Sequence, residues 1–189
     1  ELDNHMSTLH VENLKGLSSG SNANKIIVPS GQTLDASNGF VAPAGHVIQT
    51  VVGSTNSLTT GTSTFATIGS GSITPTSTSS KILLTLQMHV YVGSYNTDTW
   101  VGCLMRVTRN GTVIDGDNGA DPYGNGAHKT QDTDRYMEYS TRIYIDSPSS
   151  TSSVSYVVQA AAKASRSTMY INDAAYGDGG NFYLQEIAG

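Results

Sequence analysis

Histidines, carboxylates and a single cysteine hold whatever reactive chemistry this chain can offer, and their spacing argues against catalysis. His10, His46, His89 and His128 stand far apart in the 189 residues. None lies in a nucleophile elbow such as Gly-x-Ser-x-Gly, so each reads as a surface or interface residue. Cys103 is the only cysteine, which excludes an intrachain disulfide and a cysteine-based zinc site. Asp98, Asp115, Asp117, Asp121, Asp132, Asp134 and Glu138 are the carboxylates that glycan cleavage would have to pair. Most fall in turn-rich stretches where sequence does not fix their partners, and no catalytic residue is assigned.

The run Asp115-Gly116-Asp117-Asn118-Gly119-Ala120-Asp121 alternates carboxylates through a Gly-rich loop, as a hard cation with several oxygen ligands would want. It departs from a calcium-binding hand: Ala120 replaces the glycine at position six, and Gly126 stands where a bidentate Glu belongs. Asp115, Asp117 and Asp121 are therefore read as a solvated loop. Neither metal nor cofactor is expected. Asp173 to Asn181 form a second loop of similar composition. Tyr95, Asn96, Trp100, Tyr123 and Tyr176 lie in or near these and other turn-rich segments. Their rings suit the apolar faces of sugars, while Asn and Asp suit sugar hydroxyls, which makes them the expected glycan-binding residues.

Strands must carry such loops. Charged residues make up 13% of the chain, Ser and Thr together about a quarter, and there are 20 Gly and ten Tyr; this composition favours short strands and frequent turns over helices. Lys81 to Val92 is the clearest strand, with Ile82, Leu84, Leu86, Met88, Val90 and Val92 on one face. The same period of two runs through Val101 to Val107, through Met137, Tyr139, Ile143 and Ile145, and through Val154 to Ala162, and all these rows are expected to face the core. Further strands are expected at His46 to Val52, Ser63 to Ile68, Thr112 to Asp115, Thr168 to Asn172 and Phe182 to Ile187. Asn110-Gly111 is the pair best suited to a two-residue type I′ hairpin turn. No connection shows a helical period. The fold class is all-β: an antiparallel, jelly-roll-like β-sandwich in residues 46–189.

If each strand keeps that parity, its other face carries Tyr91, Leu104, Tyr136, Tyr144, Tyr170 and Tyr183. So much aromatic surface suits a subunit interface, with sugar contact or cover by loops as alternatives.

Residues 7–45 are built differently. Small apolar patches, such as Lys25-Ile26-Ile27-Val28 and Phe40-Val41, sit between Ser-Gly-Ser-Asn and Pro-Ser-Gly turns. None is large enough to offset its ordering entropy alone, at about 1–2 kcal/mol per residue. The segment is either a flexible tail or a thin stem in which several copies interwind, and the recurrence of β-type patches favours the stem. Glu1 to His5 read as the scar of a cleaved tag ahead of Met6. A net charge of −5 argues against nucleic acid as a partner. No apolar run reaches the ~18 residues of a spanning helix, so membrane insertion is not expected.

Four phrases carry a resemblance: Met6-Ser7-Thr8-Leu9-His10-Val11-Glu12-Asn13-Leu14; Asn24-Lys25-Ile26-Ile27-Val28-Pro29-Ser30-Gly31-Gln32-Thr33-Leu34-Asp35-Ala36-Ser37-Asn38-Gly39; Pro43-Ala44-Gly45-His46-Val47-Ile48-Gln49; and the ending Leu184-Gln185-Glu186-Ile187-Ala188-Gly189. Together they resemble the fibre proteins of tailed bacteriophages, especially those of marine and cyanobacterial hosts. The resemblance implies a homotrimer whose N-terminal segment meets other virion proteins and whose C-terminal sandwich touches a host-surface polysaccharide. The long parallel β-helix common in phage glycan hydrolases is missing here. The resulting expectation is a non-enzymatic virion fibre that mediates adsorption. A purely structural capsid or neck fibre is the alternative, and a glycan hydrolase the third.

Overall fold

In the computed structural model, residues 42–94, 99–116, 127–130, 135–162, 167–175 and 179–189 are described, together with 16, 18–21, 23 and 25–32 nearer the N-terminus. The chain separates into two units, Glu1–Val41 and Ala42–Gly189. The first shows turns closed by Ala23 N–H to Gly20 O and Gln32 N–H to Pro29 O, both 3.1 Å. Its described residues include no strand, and Ile26, Ile27 and Val28 are exposed.

The second unit is all β among its described residues. Its strands are β1 (Val47–Val52), β2 (Ser54–Thr55), β3 (Leu58–Thr60), β4 (Ala66–Ile73), β5 (Lys81–Ser94), β6 (Thr99–Arg109), β7 (Thr112–Gly116), β8 (Ala127–Thr130), β9 (Arg135–Asp146), β10 (Val154–Ala162), β11 (Ser167–Ile171) and β12 (Asn181–Ile187). Two antiparallel sheets form a sandwich. In sheet I, β5 pairs on one side with β9 and on the other with β12 and β11, which in turn pair with β1 and β3. Sheet II runs β2-β4-β10-β6-β7, with β8 also on β6. The chain crosses between sheets at every step from β1 through β6 and again at each step from β8 to β11, a jelly-roll-like course. Asn110 and Gly111 both take positive φ, 48° and 84°, and close the β6–β7 hairpin as expected.

The alternation in β5 sets the core. Ile82, Leu84, Leu86, Met88 and Val90 pack against Cys103, Met105 and Val107 of β6 and Val154, Tyr156, Val158 and Ala160 of β10. Burying each large apolar side chain contributes roughly 1.5–3 kcal/mol. Strand β4 continues through Gly69-Ser70-Gly71, which composition alone marks as a break. A Cβ on Gly71 would lie 3.2 Å from the Phe182 ring and 3.3 Å from Leu184 Cδ1, so small residues there admit the Phe182 side chain. At one end of the sandwich the Glu186 carboxylate, 0% exposed, accepts from Gln49 Nε2 at 2.6 Å, Thr76 N–H at 2.7 Å, the Thr76 hydroxyl at 2.8 Å and the Ser80 hydroxyl at 2.6 Å.

Strand β9 corrects the expected parity. Leu84 stands opposite Tyr144 and Ile82 opposite Asp146, and residues directly opposite share a face. Arg142, Tyr144 and Asp146 therefore point toward sheet II, while Met137, Tyr139, Ile143 and Ile145 are exposed on the outer face. The inward row is polar because it bridges the sandwich edge. Arg142 pairs with Asp115, the Tyr144 hydroxyl donates to Ile114 O at 3.2 Å, and Asp146 takes Arg109 and Tyr156. Burial, then the carboxylates of Asp146 and Asp115, raise the Tyr144 pKa.

Candidate functional site on the outer face of sheet I

The registers assemble the outer face of sheet I row by row. One row reads Ile145, Leu83, Gln185 and Thr50; the next reads Ile143, Thr85, Tyr183 and Val52. Thr141, Gln87 and Asn181 follow, then Tyr139 with His89, then Met137, Tyr91, Tyr170 and Thr59. From Leu83 to Tyr91 these rows contain no Asp, Glu, Lys or Arg. Ile143 is 62% exposed, Val52 72% and Tyr139 78%. A solvated sheet face ordinarily alternates apolar-in with polar-out, so the outward aliphatic residues are the departure.

In the middle of this face lies a cavity of about 270 Å³. Gln87 and His89 from β5 form part of its lining, Tyr139 and Thr141 from β9 another part, and Gly179-Gly180-Asn181 the part leading into β12. His89 is only 2% exposed, with its ring centroid 5.0 Å from that of Tyr139 at 60°. Its Nδ1 is buried and has no hydrogen-bond partner among the described residues.

The backbone around the cavity is pinned. Asn172, at a φ of 51°, donates its N–H to His89 O at 2.9 Å and accepts the His89 N–H on Oδ1 at 3.2 Å. Its side-chain amide reaches Asn56 O at 3.4 Å. At the other end of the loop the Thr55 hydroxyl donates to Gly180 O at 3.0 Å. A Cβ on Gly180 would sit 2.3 Å from Gln87 O, so only glycine allows that approach.

The expected interface residues divide. Tyr91 and Tyr170 are together on this face, ring centroids 5.5 Å apart, with Tyr91 buried; Tyr183 is half-buried in the Val52 row. Tyr144 is not on it, for the register reason given above. Leu104 does lie on the outer side of β6, opposite Ala161, yet it is 2% exposed: the chain's own packing covers it, and it offers no free surface. Tyr136 stands opposite Val92, with its side chain outside the described residues.

Of the expected glycan-binding residues, Tyr95, Asn96, Tyr123 and Tyr176 lie outside the described residues. Trp100 is in β6 opposite Lys129 of β8, its side chain likewise outside them. In the loop read as solvated, Asp117 and Asp121 are also outside, and the Asp115 carboxylate is engaged by Arg142. No cluster of three or more metal-ligating side chains occurs among the described residues. Sequence reasoning missed the cavity, whose parts come from three separated segments; only the Gly-rich loop ending at Asn181 had been singled out.

No protein-family model matches the sequence, and no curated protein matches it. Among solved structures, one of infectious bursal disease virus Gx strain is similar with a TM-score of 0.34 at 10% identity, covering 85% of this chain and 42% of that one. Dimeric latent PorU from Porphyromonas gingivalis is similar with a TM-score of 0.30 at 9% identity, covering 78% of this chain and 14% of that one. The chain thus spans less than half the length of either. At these scores neither likeness bears on what the chain does.

Proposed function

We propose that this chain is a non-enzymatic virion fibre protein of a tailed bacteriophage, homotrimeric, which adsorbs to a host-surface glycan through its sandwich and meets other virion proteins through its N-terminal segment. The phage-fibre resemblance at both ends of the sequence supplies the class. The observation that carries the reading is the uncharged outer face of sheet I. On ordinary strand spacings its five rows span roughly 500 Å², and the exposed aliphatic residues grouped at one end of it are the kind of surface that marks an interaction site. Its aliphatic end, the Ile145 and Ile143 rows with Val52, is the part offered to other copies of the chain, and the cavity end stays open to the glycan. Copies of the same chain are the partners a fibre supplies, and they would also shelter the exposed Ile26-Ile27-Val28 patch in a shared stem.

Weak binding per copy suffices for adsorption, because three tips on a fibre and several fibres on a particle raise the effective concentration of each further contact. The test is retention of the full chain on an array of bacterial envelope glycans. Retention without release of reducing sugar is the expected result. No retention would leave a purely structural fibre, and release of sugar would identify a hydrolase.

A further inference from the structure

We infer that the cavity around His89 is a binding site for one ring of an uncharged sugar. The inference rests on the adsorption reading for its ligand class and assigns a place to the contact.

The chemistry of the lining selects the ligand. Gln87, His89, Tyr139, Thr141 and Asn181 bring amides, an imidazole, hydroxyls and an aromatic ring, and among the described residues the lining has no carboxylate, ammonium or guanidinium that would hold a free ion. A hydroxyl both donates and accepts, which matches a lining whose side chains offer donors and acceptors together. The amides of Gln87 and Asn181 add donors and acceptors for neighbouring hydroxyls. Tyr139, largely exposed and tilted against His89, presents an aromatic wall to the C–H face of a ring. The volume of about 270 Å³ falls just below the ~300 Å³ at which drug-sized pockets begin, which suits a single ring of a longer chain that runs out over the face.

The site is also preorganised. Asn172 fixes the His89 backbone in both directions, and Thr55 fixes Gly180, so little ordering remains to be done on binding. Val113, exposed on β7 of sheet II, is not part of the lining and serves as an internal control.

The experiment titrates the full chain with methyl glycosides of glucose, galactose, mannose, rhamnose and N-acetylglucosamine. It is read by saturation-transfer NMR and by the ring ¹⁵N shifts of His89. At least one glycoside is expected to bind and to move the His89 resonances. Tyr139→Ala and Asn181→Ala, both exposed positions, are each expected to weaken it by about tenfold with unchanged melting, while Val113→Ser leaves it intact. If a glycoside binds and both cavity variants bind it equally well, this site is wrong although the glycan reading stands. If neither these glycosides nor the array glycans bind, both fall. Binding without any change at His89 would also overturn the assignment.

Discussion

The Tyr156 hydroxyl donates to Asp146 Oδ2 at 2.7 Å, joining a fully buried core tyrosine to the inward row of the edge strand β9. The same carboxylate takes Arg109 Nη1 on both oxygens at 2.9 Å. Burial and the adjacent Asp146 raise the Tyr156 pKa well above that of a free phenol, so the hydroxyl stays a donor throughout the range in which the protein is handled. These contacts hold β9 with its polar row inward and its aliphatic row outward, which is what creates the exposed face.

Removing the two partners should therefore have unequal effects. Tyr156→Phe deletes only the donor and leaves Asp146 with Arg109, a loss of about 1 kcal/mol. Asp146→Ala strands a buried hydroxyl and a part-buried guanidinium together, a loss of about 3 kcal/mol. Urea unfolding of the two variants measures the difference, and equal losses would mean that Asp146 has no bridging role.

Glu186 makes stability depend on acid. Burial alone would raise its pKa, but the Ser80, Gln49 and Thr76 donors outweigh that and hold it below the ordinary 4.5. Below 4.5 the unfolded chain binds the proton more readily than the folded one, so the contribution of Glu186 is present above that pH and is lost as pH falls through its lower folded value. Glu186→Gln should cost about 1–3 kcal/mol at neutral pH and flatten the stability curve on the acid side. Thermal melting from pH 6 to 3 checks both; an unchanged acid limb would remove Glu186 as its source.

Asn172→Ala should weaken the clasp behind the cavity. The variant loses two side-chain hydrogen bonds and places an alanine at positive φ, for a combined cost of about 2 kcal/mol. Amide hydrogen exchange at His89 and across 172–175 should accelerate before that of β5 as a whole. Uniform acceleration would show that Asn172 has no local function.

Much of the sandwich was legible because β5 and β10 alternate cleanly and because Asn110-Gly111 admits so few alternatives. β9 was not. Its rows, Met137-Tyr139-Thr141-Ile143-Ile145 and Arg142-Tyr144-Asp146, both obey a period of two, and hydrophobicity alone assigns the first to the core. The partners that reverse the choice, Asp115, Arg109 and Tyr156, are 10 to 37 residues away in sequence, and nothing local announces them. The cavity was hidden for the same reason: positions 87–89, 139–141 and 179–181 meet only through strand register. The short strands β2, β3 and β8 have too few residues to establish any period.

The most direct measurement is the mass of the full chain by sedimentation equilibrium, beside that of a variant carrying Ile143→Asp and Ile145→Asp. Exposed substitutions of this kind change folding stability by only about 0.5 kcal/mol each, so the variant should melt as a folded monomer. The parent chain should sediment at three times the 19.9 kDa of one chain. A parent that remains a single chain at every concentration, indistinguishable from the variant, would contradict the assembly on which the fibre reading depends.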